Sequence, residues 1–178
     1  SPAPSLPPPA GPGWLDRQSV PNWNIAGASL PVAPLIVNPR DSFCPPVNRG
    51  TTPEIRAVIA AGWVVAYDPT IRGNVAIVLG ESGADGMCRP VQYQVFVFVG
   101  GRFAGTLSPI LMDSRTDEAF SSATISADGR AISADYVRYA GHEPLCCPSR
   151  ISTVRFSVDP DIPLVIPENV VTVPTPVR

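Results

Sequence analysis

Few side chains in this sequence of 178 residues are equipped for chemistry: one histidine, four cysteines and scattered carboxylates. His142 and Glu143 stand just before the adjacent pair Cys146 and Cys147 in "HEPLCCPSR". A histidine four residues ahead of a thiol raises zinc as a reading, since Cys2His2 and Cys3His sets bind that ion. The close C-x2-C pair is missing, however, and sequence neighbours converge poorly on one tetrahedral ion, so a disulfide framework is the stronger expectation. Asp113, Ser114 and Asp117 lie together in "MDSRTDEAF", but no G-x-S-x-G turn surrounds the serine. The stretch "GESGADG" (80–86) lacks the D-x-D-x-D-G spacing of a calcium loop, and no G-K-[ST] follows to cradle phosphate. Catalysis needs a nucleophile, a base or a metal placed together. No catalytic, cofactor or metal residue is assigned, and an enzyme using His142 with a nearby acid is the least favoured function.

Cys44, Cys88, Cys146 and Cys147 form an even set, which allows three pairings. A bond between Cys146 and Cys147 would close a small strained ring, far from ordinary disulfide geometry. In an extended segment these two side chains point to opposite faces. The expectation is therefore two long-range bridges, one from Cys44 and one from Cys88, each to a member of the 146–147 pair, with the partner choice open. Such bridges imply an oxidising, extracytoplasmic compartment.

Apolar residues make up 44% and charged residues 16%, the balance of a folded chain. A net charge of −2 gives no electrostatic case for nucleic acid as a partner. No apolar run approaches the roughly 18 residues of a membrane span. Proline is concentrated at both ends, in "SPAPSLPPPAGPGW" and "VIPENVVTVPTPVR". Proline locks φ and removes an amide donor, so both ends read as extended arms. The organisation expected is an N-terminal arm over 1–39, a disulfide-stabilised domain over 40–160 and a C-terminal arm over 161–178. A Pro-rich start of this kind is what removal of a secretion leader leaves behind.

The elements between the arms carry clear signals. In "TTPEIRAVIAAGW" (51–63), Thr52 can cap a helix that opens with Pro53 and ends at Gly62. The period then switches to two. "NVAIVLG" (74–80) reads as a strand, and "QYQVFVFVGGRFAGTLS" (92–108) as a hairpin turning at Gly100-Gly101. A second hairpin turns at Asp128-Gly129, and Val154, Phe156 and Val158 mark the inward face of a later strand. Tyr93, Val95, Val97 and Val99 share one face while Phe96 and Phe98 share the other, so both faces need cover. The fold expected is α+β: one N-terminal helix packed on a curled antiparallel meander of five or six strands, with Pro-rich arms at both ends.

"DGMCRPVQYQVFVFVGGRFAGTLSP" and "YAGHEPLCCPSRISTVRF" resemble the LppP/LprE lipoprotein family in its cyanobacterial form, over about residues 40–165. The "DGMCRP" and "LCCPS" segments are the specific part of the likeness. It implies an exported chain, peripheral to a membrane or lipid-anchored, with no catalytic residue to carry over. The leading functional expectation is a non-catalytic interaction module, in the periplasm, the thylakoid lumen or at the cell surface, serving as an accessory subunit of a membrane-associated complex. A protein partner is expected, with Leu6, Trp14, Leu15 and Trp23 as contact candidates, because Pro-rich segments lose little entropy when ordered. The alternative is a small-ligand carrier with a pocket between helix and sheet, lined by Tyr93, Phe96 and Phe98. No cofactor is expected.

Overall fold

The computed structural model describes residues 13–17, 19–36 and 38–176. Among the described residues, a 3-10 turn at Trp14–Asp16 precedes the one α-helix, α1, Pro53–Ala60. It starts where the sequence indicates: Thr52 Oγ1 accepts the Ile55 amide at 3.2 Å, and Pro53 occupies the first turn, where its missing donor costs nothing. Ten strands follow: β1 Thr70–Arg72, β2 Val75–Gly80, β3 Gly83–Ala84, β4 Pro90–Val91, β5 Gln94–Val99, β6 Arg102–Thr106, β7 Phe120–Ile125, β8 Ala131–Arg138, β9 Arg150–Asp159 and β10 Leu164–Pro174.

These strands overturn the expected single curled sheet. They form two four-stranded antiparallel sheets, ordered β1-β2-β5-β6 and β10-β9-β8-β7, and a separate β3-β4 ribbon. The molecule is mostly β, a sandwich with one helix laid on its outside, and not an α+β meander. Alternation explains the layering. Val75 and Ile77 of β2 and Val95, Val97 and Val99 of β5 face inward onto Ile132, Ala134, Tyr136, Val154, Phe156 and Val158 of the second sheet. The intervening Ala76, Val78, Phe96 and Phe98 face outward and are covered by Ile55 and Val58 of α1 and by Trp63. Gly100 and Gly101 both have positive φ, 58° and 79°, as a two-residue type I′ hairpin demands.

The described parts of both ends depart from the arms expected, and residues 1–12 lie outside the described residues. Residues 164–174 are β10, the edge strand of the second sheet. Pro167 is tolerated there because it adjoins a register shift between Pro167 and Asn169, and an edge strand needs only one row of donors. At the other end, Trp14 and Leu15 are 0% and 4% exposed and belong to the chain's own core. The Trp14 ring meets Trp23 at 5.1 Å and Tyr136 at 5.2 Å, both edge to face. Glu118 fixes the 3-10 turn by accepting the amides of Gly13 at 2.6 Å and Leu15 at 2.9 Å. Buried Arg138 reaches Asp16 at 2.6 Å and Asp117 at 3.0 Å.

The disulfides also differ from the expectation. Cys44 pairs with Cys88, and Cys146 with Cys147. The segment before Cys147 is a turn, closed by its amide on the Pro144 carbonyl at 3.0 Å, so the opposite-facing argument for an extended chain does not apply. Among the described residues no helix is long and apolar enough to cross a membrane.

Candidate functional site

The two sheets meet along two seams. Along the first, β6 lies beside β10 without pairing to it. Asn24 fills the join. Its Nδ2 donates to the carbonyls of Thr106 (3.0 Å) and Val165 (3.1 Å), and its Oδ1 accepts the Thr106 amide at 2.9 Å. One side-chain amide thus stands in for ladder bonds between the sheets. The Trp23 indole adds a bond to Thr106 Oγ1 at 3.0 Å. Gly105 is required beside it: a Cβ there would lie 2.5 Å from Asn24 Cγ.

Along the second seam, β1 lies beside β7, but β1 has only three residues and begins just after Pro69. The Arg72 guanidinium closes one end by donating to the Ile125 carbonyl at 3.0 Å. Beyond it the sheets splay, leaving a cavity of about 450 Å³ that opens into the sandwich interior. Its apolar walls are Ile77, Leu79, Tyr93, Val95 and Phe120, and its rim carries Tyr67, Asp68, Arg89, Ser114 and the edge residues Ser121 to Ala123. That volume lies in the range of small-ligand and peptide side-chain sites.

Three of the polar groups around the cavity, on Tyr93, Ser114 and Arg89, are engaged. The Tyr93 hydroxyl donates to the Phe120 carbonyl at 3.1 Å. Burial, with the nearby Asp113 charge, raises the Tyr93 pKa far above its ordinary value, so the group is a neutral donor. Ser114 Oγ donates to the Pro90 carbonyl at 2.7 Å. Arg89 is neutralised by Asp85 at 2.7 Å. Burial would raise the Asp85 pKa, but hydrogen bonds from the Arg89 amide and guanidinium and from the Met87 amide hold it below the ordinary range. Tyr67 is raised by burial first and by the Glu81 charge second.

Glu81 sits behind this rim, 1% exposed. Arg40 reaches its Oε1 at 2.9 Å, while Oε2 is buried without a hydrogen-bond partner. Burial pushes its carboxyl up, against the lowering effect of Arg40. "GESGADG" is therefore a structural corner: Asp85 caps the turn into Cys88, and Gly83 passes against the Asn38 carbonyl. The Cys44–Cys88 bond clamps the 41–44 turn to the same corner.

The residues singled out in the sequence scatter. His142 is exposed in the β8–β9 loop, and its neighbour Glu143 accepts the amides of Ala140 (2.7 Å) and Ser149 (3.2 Å). Asp113 accepts the Gln92 amide at 2.8 Å, and Asp117 holds Arg138. Among the described residues no group of His, Cys, Asp and Glu is arranged to hold a metal ion. Of the partner-contact candidates, Trp14 and Leu15 are buried and Trp23 packs partly buried against them; Leu6 lies outside the described residues. Of the aromatics expected to line a carrier pocket, Phe96 and Phe98 pack under α1 and only Tyr93 lines the cavity, which lies between the sheets and not between helix and sheet. Sequence reasoning missed Asn24, Glu81 and the β7 edge. A buried glutamate directly after an apolar strand was the one available signal.

No curated protein and no solved structure matches the chain. A family model does match, over residues 66–161, and every residue lining the cavity falls within that span, while Asn24 and Val165 of the sealed seam fall outside it. On that match the chain belongs to the LppP/LprE lipoprotein family, a family of the cell envelope.

Proposed function

We propose that this protein is a non-catalytic binding module on the extracytoplasmic side of the envelope, and that it takes an apolar part of its ligand into the cleft between β1–β2 and β7. The observation that carries this reading is the cleft itself: about 450 Å³ of space walled by Ile77, Leu79, Val95 and Phe120 and open at a seam whose counterpart is sealed. The Pro-rich start supports a partner site less well, because its tryptophans are used inside the fold. Two disulfides fit an oxidising compartment such as the periplasm, the thylakoid lumen or the cell surface. The Tyr93 and Ser114 hydroxyls at the cleft are committed to backbone carbonyls, which favours binding over nucleophilic chemistry at those two residues.

The test is titration of the purified chain with a fluorescent fatty acid. Leu79→Trp, which fills the cleft, is expected to lower affinity at least tenfold, and His142→Ala to leave it unchanged. Equal binding by the Leu79→Trp protein would place the ligand elsewhere. A tenfold loss in His142→Ala with the fold intact would return attention to the β8–β9 loop.

A further inference from the structure

One wall of the cleft is the free edge of a strand. β7 is the terminal strand of its sheet, bonded to β8 on one side and, among the described residues, to no strand on the other, although Phe120 at its start donates its amide to Met112 Sδ at 3.3 Å and accepts the Tyr93 hydroxyl on its carbonyl at 3.1 Å. Because Arg72 donates to the Ile125 carbonyl, Ile125 turns its backbone polar groups away from β8. The next residue, Ser126, bonds back to the Ala131 carbonyl, in phase with this assignment. Orientation alternates along an antiparallel ladder. Ala123, opposite Ala134 in the register, therefore presents both its N–H and its C=O to the cleft. Phe120, Ser121, Ser122 and Ala123 all line the cavity. A strand face would contribute every second residue, so four in a row mark an edge.

We infer that the cleft binds an extended polypeptide segment, which adds to β7 as a further strand and places alternate side chains between the sheets. The inference rests on the cleft being the binding site, and names its ligand. Main-chain pairing to Ala123 would supply affinity, and the apolar walls would select side chains at every second position. Phe120 is already engaged and the ladder shifts register between Phe120 and Ser122, so pairing centres on Ala123 and the recognised unit is short, with one or two apolar anchors. Uncharged anchors fit best, since Arg89 is already paired with Asp85. An alkyl chain would satisfy the same walls, but it would cover the Ala123 amide without bonding to it, which costs the full desolvation of that group. The polypeptide satisfies wall and edge together.

The experiment uses the full chain, a panel of capped pentapeptides with apolar residues at alternate positions, and the fluorescent fatty acid as reporter of the cleft. Peptides are expected to displace the reporter. N-methylation of the amides in one alternating register should weaken binding at least tenfold, and methylation in the other register should not. Ala123→Pro removes the outward N–H while sparing the bonds to β8. It should weaken the best peptide at least tenfold; a loss under twofold would count against strand addition. If the reporter binds and no peptide displaces it, strand addition is wrong and the cleft is a small-amphiphile site. If N-methylation has no effect in either register, strand addition is also wrong. If neither reporter nor peptides bind, the proposed function fails with it. Should the Ala123→Pro protein not fold, the N-methyl comparison on the unaltered chain decides.

Discussion

The two seams of this sandwich solve one problem in opposite ways. Where β6 meets β10, backbone groups of Thr106 and Val165 would be stranded between sheets, and Asn24 reaches in from the start of the chain to pair them. Where β1 meets β7, Arg72 ties Ile125 at one end of β7, Tyr93 and Met112 engage Phe120 at the other, and the edge at Ala123 between them faces the cavity. The difference begins with length. β6 and β10 run far enough to face one another, whereas β1 stops at three residues behind Pro69, which lacks a donor. Sealing one edge and shortening its counterpart gives a stable sandwich whose interior stays reachable from one side.

Three measurements would break or sharpen that contrast. The largest effect is expected at the sealed side. Trp14→Ala removes a fully buried ring that packs on Trp23 and Tyr136, and should cost about 3–5 kcal/mol in denaturant unfolding. A loss under about 1 kcal/mol would mean that the N-terminal segment is not part of the core. Asn24→Ala comes next. It leaves the Thr106 amide and the Val165 carbonyl without their partner, while the Thr106 carbonyl keeps only the longer bond from the Trp23 indole, for a loss of about 1–3 kcal/mol. Amide hydrogen exchange should then quicken at Thr106; unchanged protection there would show that the seam holds without the asparagine.

The smallest effect belongs to Glu81, behind the open seam. Its folded pKa is raised by burial, so its contribution to stability is fully present below the unfolded value of about 4.3 and is lost as pH rises through the folded value. Glu81→Gln abolishes that dependence. The stability of the wild type minus that of the variant should fall with rising pH across this window and then level off. Asp128 and Glu143, whose carboxyls hydrogen bonds from Ser126 and Ser149 hold below the ordinary range, produce the opposite slope, but equally in both proteins. A difference that grew with pH would mean that the Arg40 pair outweighs burial.

Local chemistry was legible in the sequence, and its assembly was not. Thr52 and Pro53 announce the helix, Gly100-Gly101 the hairpin, and Val154, Phe156 and Val158 an inward face, because each signal acts within a few residues. The double-faced β5 correctly asks for cover on both sides, but alternation cannot say that one cover is a second sheet. Proline density conceals β10, since an edge strand with a bulge accepts Pro167 and a central strand would not. The Cys146–Cys147 bond was misread for want of one fact, that the chain turns there. Of the cleft, only Tyr93 was foreseen. An edge left open by a short β1 is a property of lengths and splay, which no residue type encodes.

Asn24 also sets a timetable. Its carbonyl partner on Val165 lies 141 positions downstream, so the two halves of the clasp are made at opposite ends of synthesis. Until β10 is in place, the β6 edge has no Val165 carbonyl to be joined to. Long-range closure of this kind is slow to nucleate. A chain broken off before residue 165 would lack the Val165 carbonyl, so the asparagine clasp could not be completed.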